Sequence, residues 1–330
     1  EGVLIDNFQL VDQGRLREKE LQELFTTAPY PTRNFHHNLG DLKAQIAANE
    51  KGVQELRKMV DHFGLDVVLA YMKHVQDNAE ETVRRVIQNL SDGEYEYEMD
   101  FGARVKVAIM VHPETRSATV DFTGTSPQQD NNFNITHAVA VAAVLYTFRL
   151  MVDDDIPLNA GCLKPLNIVV PEDCMLRPKY PAAVVAGNVE TSQAITDTIL
   201  GALRLMGASQ GTMNNFTFGN ANYQYYETIC GGAGAGADFD GTDAVHTHMT
   251  NTRLTDPEIL EWRFPVILDS FSIRRGSGGT GKHRGGDGVI RRLKFREKMT
   301  ASMLSNNSDA PLMMILWTLV NLRPKYQTNS

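Results

Sequence analysis

EYEYEMDFGARVKVAIMVHPETRSATVDFTGTS, Glu94 to Ser126, alternates apolar and polar side chains over three short runs. Period two puts successive residues on opposite faces of a strand, so each run has one face for a core and one for water. Turn signals at Phe101-Gly102 and His112-Pro113 separate the runs, and the segment reads as an antiparallel meander. Upstream the period lengthens. From Asn38 to Leu90, Leu42, Ile46, Val53, Leu56, Val60 and Phe63 recur at helical spacing, followed by Val68, Met72, Val75, Ala79, Val83 and Val86. Gly64 supplies a stop between the two helices, and together they form an expected antiparallel helical hairpin.

Downstream, ITHAVAVAAVLYTFRLMV (135–152) reads as a buried central helix, GCLKPLNIVVPEDC (161–174) as a strand and NVETSQAITDTILGALRLMGA (188–208) as a helix opened by polar caps. NNFTFGNANYQYYETI (214–229) has the form of a hairpin, and PVILDSFSIRRGSGG (265–279) and GVIRRLKFREKMTASMLS (288–305) add further strands. The sum is an α+β architecture, with large mixed or antiparallel sheets and the helical hairpin near the N-terminus. It divides into a helical lobe over 1–93, an α+β core over 94–307 and an atypical tail over 308–330.

Composition narrows the partners. The chain has 330 residues, 42% hydrophobic and 22% charged, which is ordinary for a soluble globular protein. A formal net charge of −8 argues against a nucleic-acid scaffold or a basic membrane-surface protein, leaving small molecules and other protein surfaces. Cys162, Cys174 and Cys230 are odd in number and lack CxxC spacing, so neither a disulfide framework nor a zinc knuckle is indicated, and a reducing cytoplasm fits. The opening EGVLIDNFQLVDQGR has no basic-then-apolar leader and reads as internal to a longer polypeptide. PLMMILWTLV, at 311–320, is well short of the roughly 20 residues of a membrane-spanning helix.

Chemistry concentrates in YYETICGGAGAGADFDGTDAVHTHMTNTRLTDPEILEWRFP, Tyr225 to Pro265. Gly231, Gly232, Gly234 and Gly236 lack the Cβ barrier to positive φ and allow close approach to a ligand or another segment. AVHTHMTNT then suits a strand with His246, His248 and Thr250 on one face, the two imidazoles about 7 Å apart. That spacing fits two metal ligands or a ligand plus an acid–base group, with Glu227, Asp238, Asp240 and Asp243 nearby in sequence; structural hydrogen bonding fits it equally. GSGGTGKHRGGDG, Gly276 to Gly288, satisfies GxxxxGK, but His283 replaces the Mg²⁺-binding hydroxyl and RGGDGV cannot start a helix. A nucleotide P-loop is rejected, while anion binding by backbone amides with Lys282 and Arg284 stays open beside a packed glycine-rich hairpin. In GNVETSQ, Gly187 to Gln193, side chains that cap a helix would leave amides for an anionic ligand; ordinary capping explains Thr191 and Ser192 equally well.

TRNFHHNLGDLKAQIAANEKG (32–52), GLDVVLAYMKHVQDNAE (64–80), DIPLNAGCLKPLNIVVP (155–171), GNVETSQ, GTMNNFTFGN (211–220), YYETICGGAGAG, HTHMTNTRLTDPEILEWRFPVIL and RRGSGGTGKHRGGDGVIRRL together resemble the hydantoinase B/oxoprolinase family. Within it the chain is most similar to the C-terminal half of long single-chain 5-oxoprolinases, from Glu1 to about Asn307. The resemblance implies a partial hydantoinase B-type fold and ATP-dependent opening of the 5-oxo-L-proline lactam to L-glutamate, within glutathione metabolism. Phosphorylating the carbonyl oxygen would turn a resonance-stabilised amide into a good electrophile. ATP and Mg²⁺ are then held by a hydantoinase A-type half or subunit, and a divalent metal by a region N-terminal to Glu1, leaving no metal ligands in this part. Oligomeric assembly is implied as well.

On this reading Asn188, Glu190, Thr191, Asn214, Gly231, Gly232 and His248 line the substrate cavity, with Glu227 and His246 as the acid–base pair. Asp121, Gly124 and Asn131 to Asn134 form a second polar loop that closes it. A hydantoinase B subunit acting on hydantoin-like cyclic amides and a non-catalytic assembly module are the alternatives. Two departures from the family pattern stand out: the start at Glu1 falls mid-domain, and SDAPLMMILWTLVNLRPKYQTNS replaces the usual continuation after Ser305-Asn306-Asn307.

Overall fold

The computed structural model describes residues 3, 5–32 and 34–306, so the expected tail over 308–330 lies outside the described residues. Two units are distinguished, 1–75 and 76–330. The first begins with a hairpin of β1 (Val11–Asp12) and β2 (Arg15–Leu16), joined by Gln13 at φ 46° and Gly14 at φ 79°. Positive φ at both turn residues matches the right-handed twist of the flanking strands. Helix α1 (Glu18–Thr27) carries Glu18 and Glu20 in its first turn, where the helix dipole favours negative charge. It packs on α2 (Phe35–Phe63), with Phe25 edge-on to Phe35, and Leu21 and Leu39 are the buried residues of the two helices.

Asn34 caps α2 by accepting from the His37 amide at 3.1 Å, and Gly64, at φ 82°, ends it. One residue later α3 (Leu65–Ile87) begins. Val53, Leu56, Phe63, Leu65, Met72 and Val75 remain exposed rather than buried between the two helices. The last turns of α3 belong to the second unit: Ala79, Val83 and Ile87 are fully buried in its main core. The contact boundary thus falls inside α3 and not at the expected position 93.

In the second unit β3 (Gly93–Glu98), β4 (Arg104–His112) and β5 (Ser117–Asp121) form the expected meander. After the crossover containing α4 (His137–Leu150), β6 (Leu166–Val169) adds parallel to β5. Strand alternation directs Val105, Val107, Ile109, Ala118 and Val120 into the core. Each of the Val and Ile side chains contributes about 1.5–3 kcal/mol on full burial. Against them lies α5 (Ser192–Ala202), every residue of which is buried except Gly201. The central helix is therefore α5 and not α4, whose one buried face carries Ala140, Ala143, Val144, Thr147 and Phe148.

Among the described residues the sheets are smaller than expected, the largest having four strands. A second, three-stranded sheet has the order β11 (Thr300–Leu304), β7 (Asn215–Gly219), β8 (Gln224–Thr228). One of its faces joins Phe216, Phe218 and Tyr225 to Leu260 of α6 (Pro257–Arg263) and Val266. Beside it β9 (Val266–Ile273) and β10 (Val289–Phe295) pair antiparallel, with an irregularity at Arg292/Leu293. AVHTHMTNT forms no strand; its one ladder contact is a bridge from Val245 to Gly231.

Candidate functional site

Pairing in the three-stranded sheet sets Asn215 opposite Leu304 and Thr217 opposite both Ser302 and Tyr226. Period two therefore gathers these side chains on one face. With Val185, Asn188 and Val189 they line a cleft of about 330 Å³. Glu227, one residue on from Tyr226, faces the other side. There Arg291 meets its two oxygens at 2.7 and 2.9 Å and the Tyr225 hydroxyl donates to it at 2.7 Å. Strand parity thus removes Glu227 from the cleft.

Behind the cleft, Gly187–Thr191 forms a π-helical turn that runs into α5. Such wide turns recur at functional sites because the extra residue redirects side chains. Glu190 points inward and is fully buried. Asn215 Nδ2 donates to its Oε1 at 2.9 Å, and the Tyr226 hydroxyl donates to Asn215 Oδ1. Burial pushes the Glu190 carboxyl up to about 8, against the pull of Thr212, the Met213 amide, Asn215 and the Asn306 amide. None of these reaches Oε2 in hydrogen-bonding geometry, so that oxygen has no partner among the described residues. Burial, then the nearby Glu190, also raises the Tyr226 phenol.

Thr191 and Ser192 do not cap a helix. Their hydroxyls donate to the Phe133 carbonyl at 2.5 Å and the Asn188 carbonyl at 2.8 Å, because the π-turn continues the helix past the expected start. The 131–134 loop supports this turn rather than closing a pocket. Asn134 is fully buried and donates to the carbonyls of Gln129, Asn131 and Ala183. A Cβ on Gly187 would lie 2.3 Å from the Asn134 carbonyl oxygen, so only glycine permits that packing. Asn214 adopts φ 46° at the entrance to β7 and accepts from the Ser305 hydroxyl at 2.9 Å. Asp121 accepts from the amide of Thr123.

The two histidines have separate environments. His248, at φ 54°, turns its Nε2 to within 3.2 Å of buried Asp197, off the line of a hydrogen bond, and its Nδ1 lies 3.4 Å from the Tyr146 hydroxyl. Asp197 also accepts from the Ser209 amide and hydroxyl at 3.1 and 3.2 Å. His246 is half-buried; its Nδ1 has no partner among the described residues, and burial lowers its pKa. No shared face unites them, since the segment is not a strand.

None of Gly231, Gly232, Gly234 and Gly236 takes positive φ. They serve close approach instead. A Cβ on Gly232 would lie 1.9 Å from the Gly286 carbonyl oxygen, and one on Gly286 2.0 Å from that of Thr242. Gly231 instead faces the side chain of Gln210. The segments 231–243 and 276–288 are thereby laced together, and their charges pair internally. Asp287 accepts from the amides of Gly276 and Gly278 at 3.0 and 2.8 Å. Arg284 meets Asp243 and Asp287 at 3.2 and 3.1 Å, while Asp240 accepts from the Arg284 amide. With the amides of Gly276, Gly278, Arg284 and Asp287 and the Arg284 guanidinium already matched to carboxylates, this part of the loop does not fit a nucleotide phosphate. Among the described residues no group of three or more His, Cys, Asp or Glu side chains is arranged to hold a metal. No helix there is long and apolar enough to cross a membrane.

Sequence reading missed Asn215 and Tyr226. The hairpin register was the available signal, since a four-residue connection places Tyr226 across from Thr217 and on the face of Asn215.

Residues 1–313 match the family model described as hydantoinase B/oxoprolinase. The curated relative 5-oxoprolinase 1 of Arabidopsis thaliana is 44% identical over 329 residues, covering 92% of this chain. The chain covers only 26% of that relative's length. Two solved structures share the fold. The ATP-dependent caprolactamase from Pseudomonas jessenii gives a TM-score of 0.74 at 23% identity, over 89% of this chain and 54% of that one. Nucleotide-free acetone carboxylase gives 0.74 at 15% identity, over 91% and 44%.

Proposed function

This chain belongs to the hydantoinase B/oxoprolinase family, and we propose that it forms the amide-substrate part of an ATP-dependent 5-oxoprolinase, a cyclic amidohydrolase converting 5-oxo-L-proline to L-glutamate. The observation that carries the reading is the 44% identity to a 5-oxoprolinase across 92% of the chain. The cleft supports it chemically. Its polar groups, Asn188, Asn215, Thr217, Tyr226 and Ser302, are uncharged, which suits the ring amide of 5-oxoproline, while the carboxylate of that substrate finds no cation in this lining. Largely apolar clefts of this kind fix orientation through a few placed hydrogen-bonding groups.

In this proposal ATP and Mg²⁺ belong to a hydantoinase A-type half of the longer polypeptide, and the 276–288 loop is asked to hold neither. Asn188 and Tyr226 orient the lactam, with Glu190 behind them. His246 is the proton-transfer group: burial lowers its pKa from the ordinary 6.5 and favours the neutral imidazole a base requires. Thr191, Asn214, Gly231, Gly232 and His248 lie outside the cleft lining and pack against Phe133, Ser305, Gln210, Gly286 and Asp197, which leaves them supporting roles. Glu227 becomes a strut of the sheet. The cytoplasm, an oligomeric assembly and glutathione metabolism are the setting of the same proposal.

The test is oxoproline-dependent ADP release by the full-length polypeptide, with hydantoin and dihydrouracil as controls. Release driven by 5-oxoproline, and none from this chain alone, is expected. Release driven by hydantoin instead, or by none of the three, overturns the reading.

A further inference from the structure

Tyr226 is half-exposed on the cleft wall, while Glu190 and Asn215 behind it are buried. The hydrogen bonds among the three run in a fixed direction. Glu190 Oε1 accepts from Asn215 Nδ2 at 2.9 Å, which sets the amide nitrogen against the carboxyl group. Asn215 Oδ1 is then turned toward Tyr226 and takes the phenol proton. Protonating Glu190 does not reverse this order when the proton sits on Oε2, the oxygen without a partner among the described residues, because Oε1 remains a carbonyl acceptor. A phenol has one proton, and here it is committed inward. Only oxygen lone pairs are left for the cleft.

We infer that Tyr226 is a specificity-determining residue that accepts a hydrogen bond from the ring N–H of the bound lactam, with Asn215 and Glu190 as positioning residues that fix its direction. This rests on the cleft being the amide site, as proposed above. A lactone sets its ring oxygen against the phenol lone pairs, and an N-methyl lactam sets a methyl group there. Sites built to hydrogen-bond a donor reject analogues lacking it far more strongly than apolar pockets reject a size change. Tyr226 is half-exposed, so the discrimination expected is about 10–100-fold, below that of a fully buried site.

The experiment uses the full-length enzyme, comparing the KM for 5-oxoproline with the competitive inhibition constants of its N-methyl and lactone analogues. Wild type binds the N–H lactam about 10–100-fold better than either analogue. Tyr226→Phe brings the ratio to within about threefold by weakening the lactam, and KM changes more than kcat. Asn215→Leu frees the phenol proton to point outward and shifts preference toward the lactone. Should that buried variant fail to fold, Tyr226→Phe at its half-exposed position still decides. Ser302→Trp, which fills the cleft from an exposed position on β11, separates the two claims. An unchanged KM in Ser302→Trp overturns the cleft assignment and this inference together. A raised KM there, with the wild-type analogue ratio retained in Tyr226→Phe, overturns the inference alone.

Discussion

Arg291 clamps Glu227 with Nε at 2.7 Å and Nη2 at 2.9 Å from its two oxygens, and the two side chains are 2% and 1% exposed. The pair ties β10 to β8 on the sheet face opposite the cleft, beneath the Phe271 ring, whose centroid lies 5.3 Å from the guanidinium carbon. Removing one partner of a buried pair leaves an uncompensated charge, typically at a cost of about 3–5 kcal/mol. Arg291→Met in the full-length protein is therefore expected to lower the denaturation midpoint substantially. Glu227→Gln should destabilise less, while the turnover per folded molecule stays near wild type. A Glu227→Gln enzyme of normal stability and lost turnover would restore Glu227 to the chemistry.

The interlaced glycines make a sharper claim, because the obstructing atoms are backbone. Gly232→Ala places a Cβ 1.9 Å from the Gly286 carbonyl oxygen, and Gly286→Ala repeats the clash against Thr242 at 2.0 Å. Forced overpacking usually costs about 1–3 kcal/mol, and a rigid obstacle belongs at or above the upper end. Gly279→Ala is the control, with nothing within 4 Å of its added Cβ. Soluble yield and thermal midpoint should fall for the first two and hold for the third. Equal behaviour of all three would contradict the lacing.

The contrast between these residues shows what a sequence reveals. Alternation around Val105, Val107 and Ile109 was readable because a half-buried strand writes its two faces directly into residue order. The β7–β8 hairpin was readable for the same reason. The carboxylate of Glu227 is visible in the sequence, but its function is decided by strand parity, which turns it away from Tyr226 toward Arg291. The π-turn over Gly187–Thr191 leaves no periodic trace, so the inward turn of Glu190 had no signal at all. Alternation also failed at AVHTHMTNT. There His248 takes φ 54° to reach Asp197, and long-range packing outweighs a short period-two pattern.

His246 and His248 should separate cleanly on mutation. His248→Ala leaves the buried Asp197 with Ser209 as its partner among the described residues, and losing a partner of a buried polar group costs about 1–3 kcal/mol. His248→Asn tolerates the left-handed backbone and should recover part of that loss. Tyr146→Phe, losing only a 3.4 Å contact, should change little. His246→Ala is expected to shift the thermal midpoint slightly while lowering turnover by about 10²-fold or more, as fits a general acid–base group. Matched losses of stability and turnover in both alanine variants would remove His246 from the proton-transfer role.

Glu190 ties stability to pH with a definite sign. Its carboxyl has an ordinary value of 4.5 and is pushed up to about 8 by burial in the folded protein. Between those values the folded state holds a proton that the unfolded chain has released, so raising the pH favours unfolding. The contribution is fully present below about 4.5 and is lost as the pH rises through about 8. Glu190→Gln keeps the neutral shape and an oxygen able to accept from Asn215, but it removes the titration. Denaturation midpoints of wild type and Glu190→Gln, compared at about pH 5 and about pH 9, should therefore diverge, with the variant gaining on wild type at the alkaline end. Other titrating groups are common to both proteins and largely cancel in the difference. A difference that stays flat across the window would mean that Glu190 is ionised in the folded protein. The Asn215 and Tyr226 hydrogen bonds would then rest on a buried carboxylate charge.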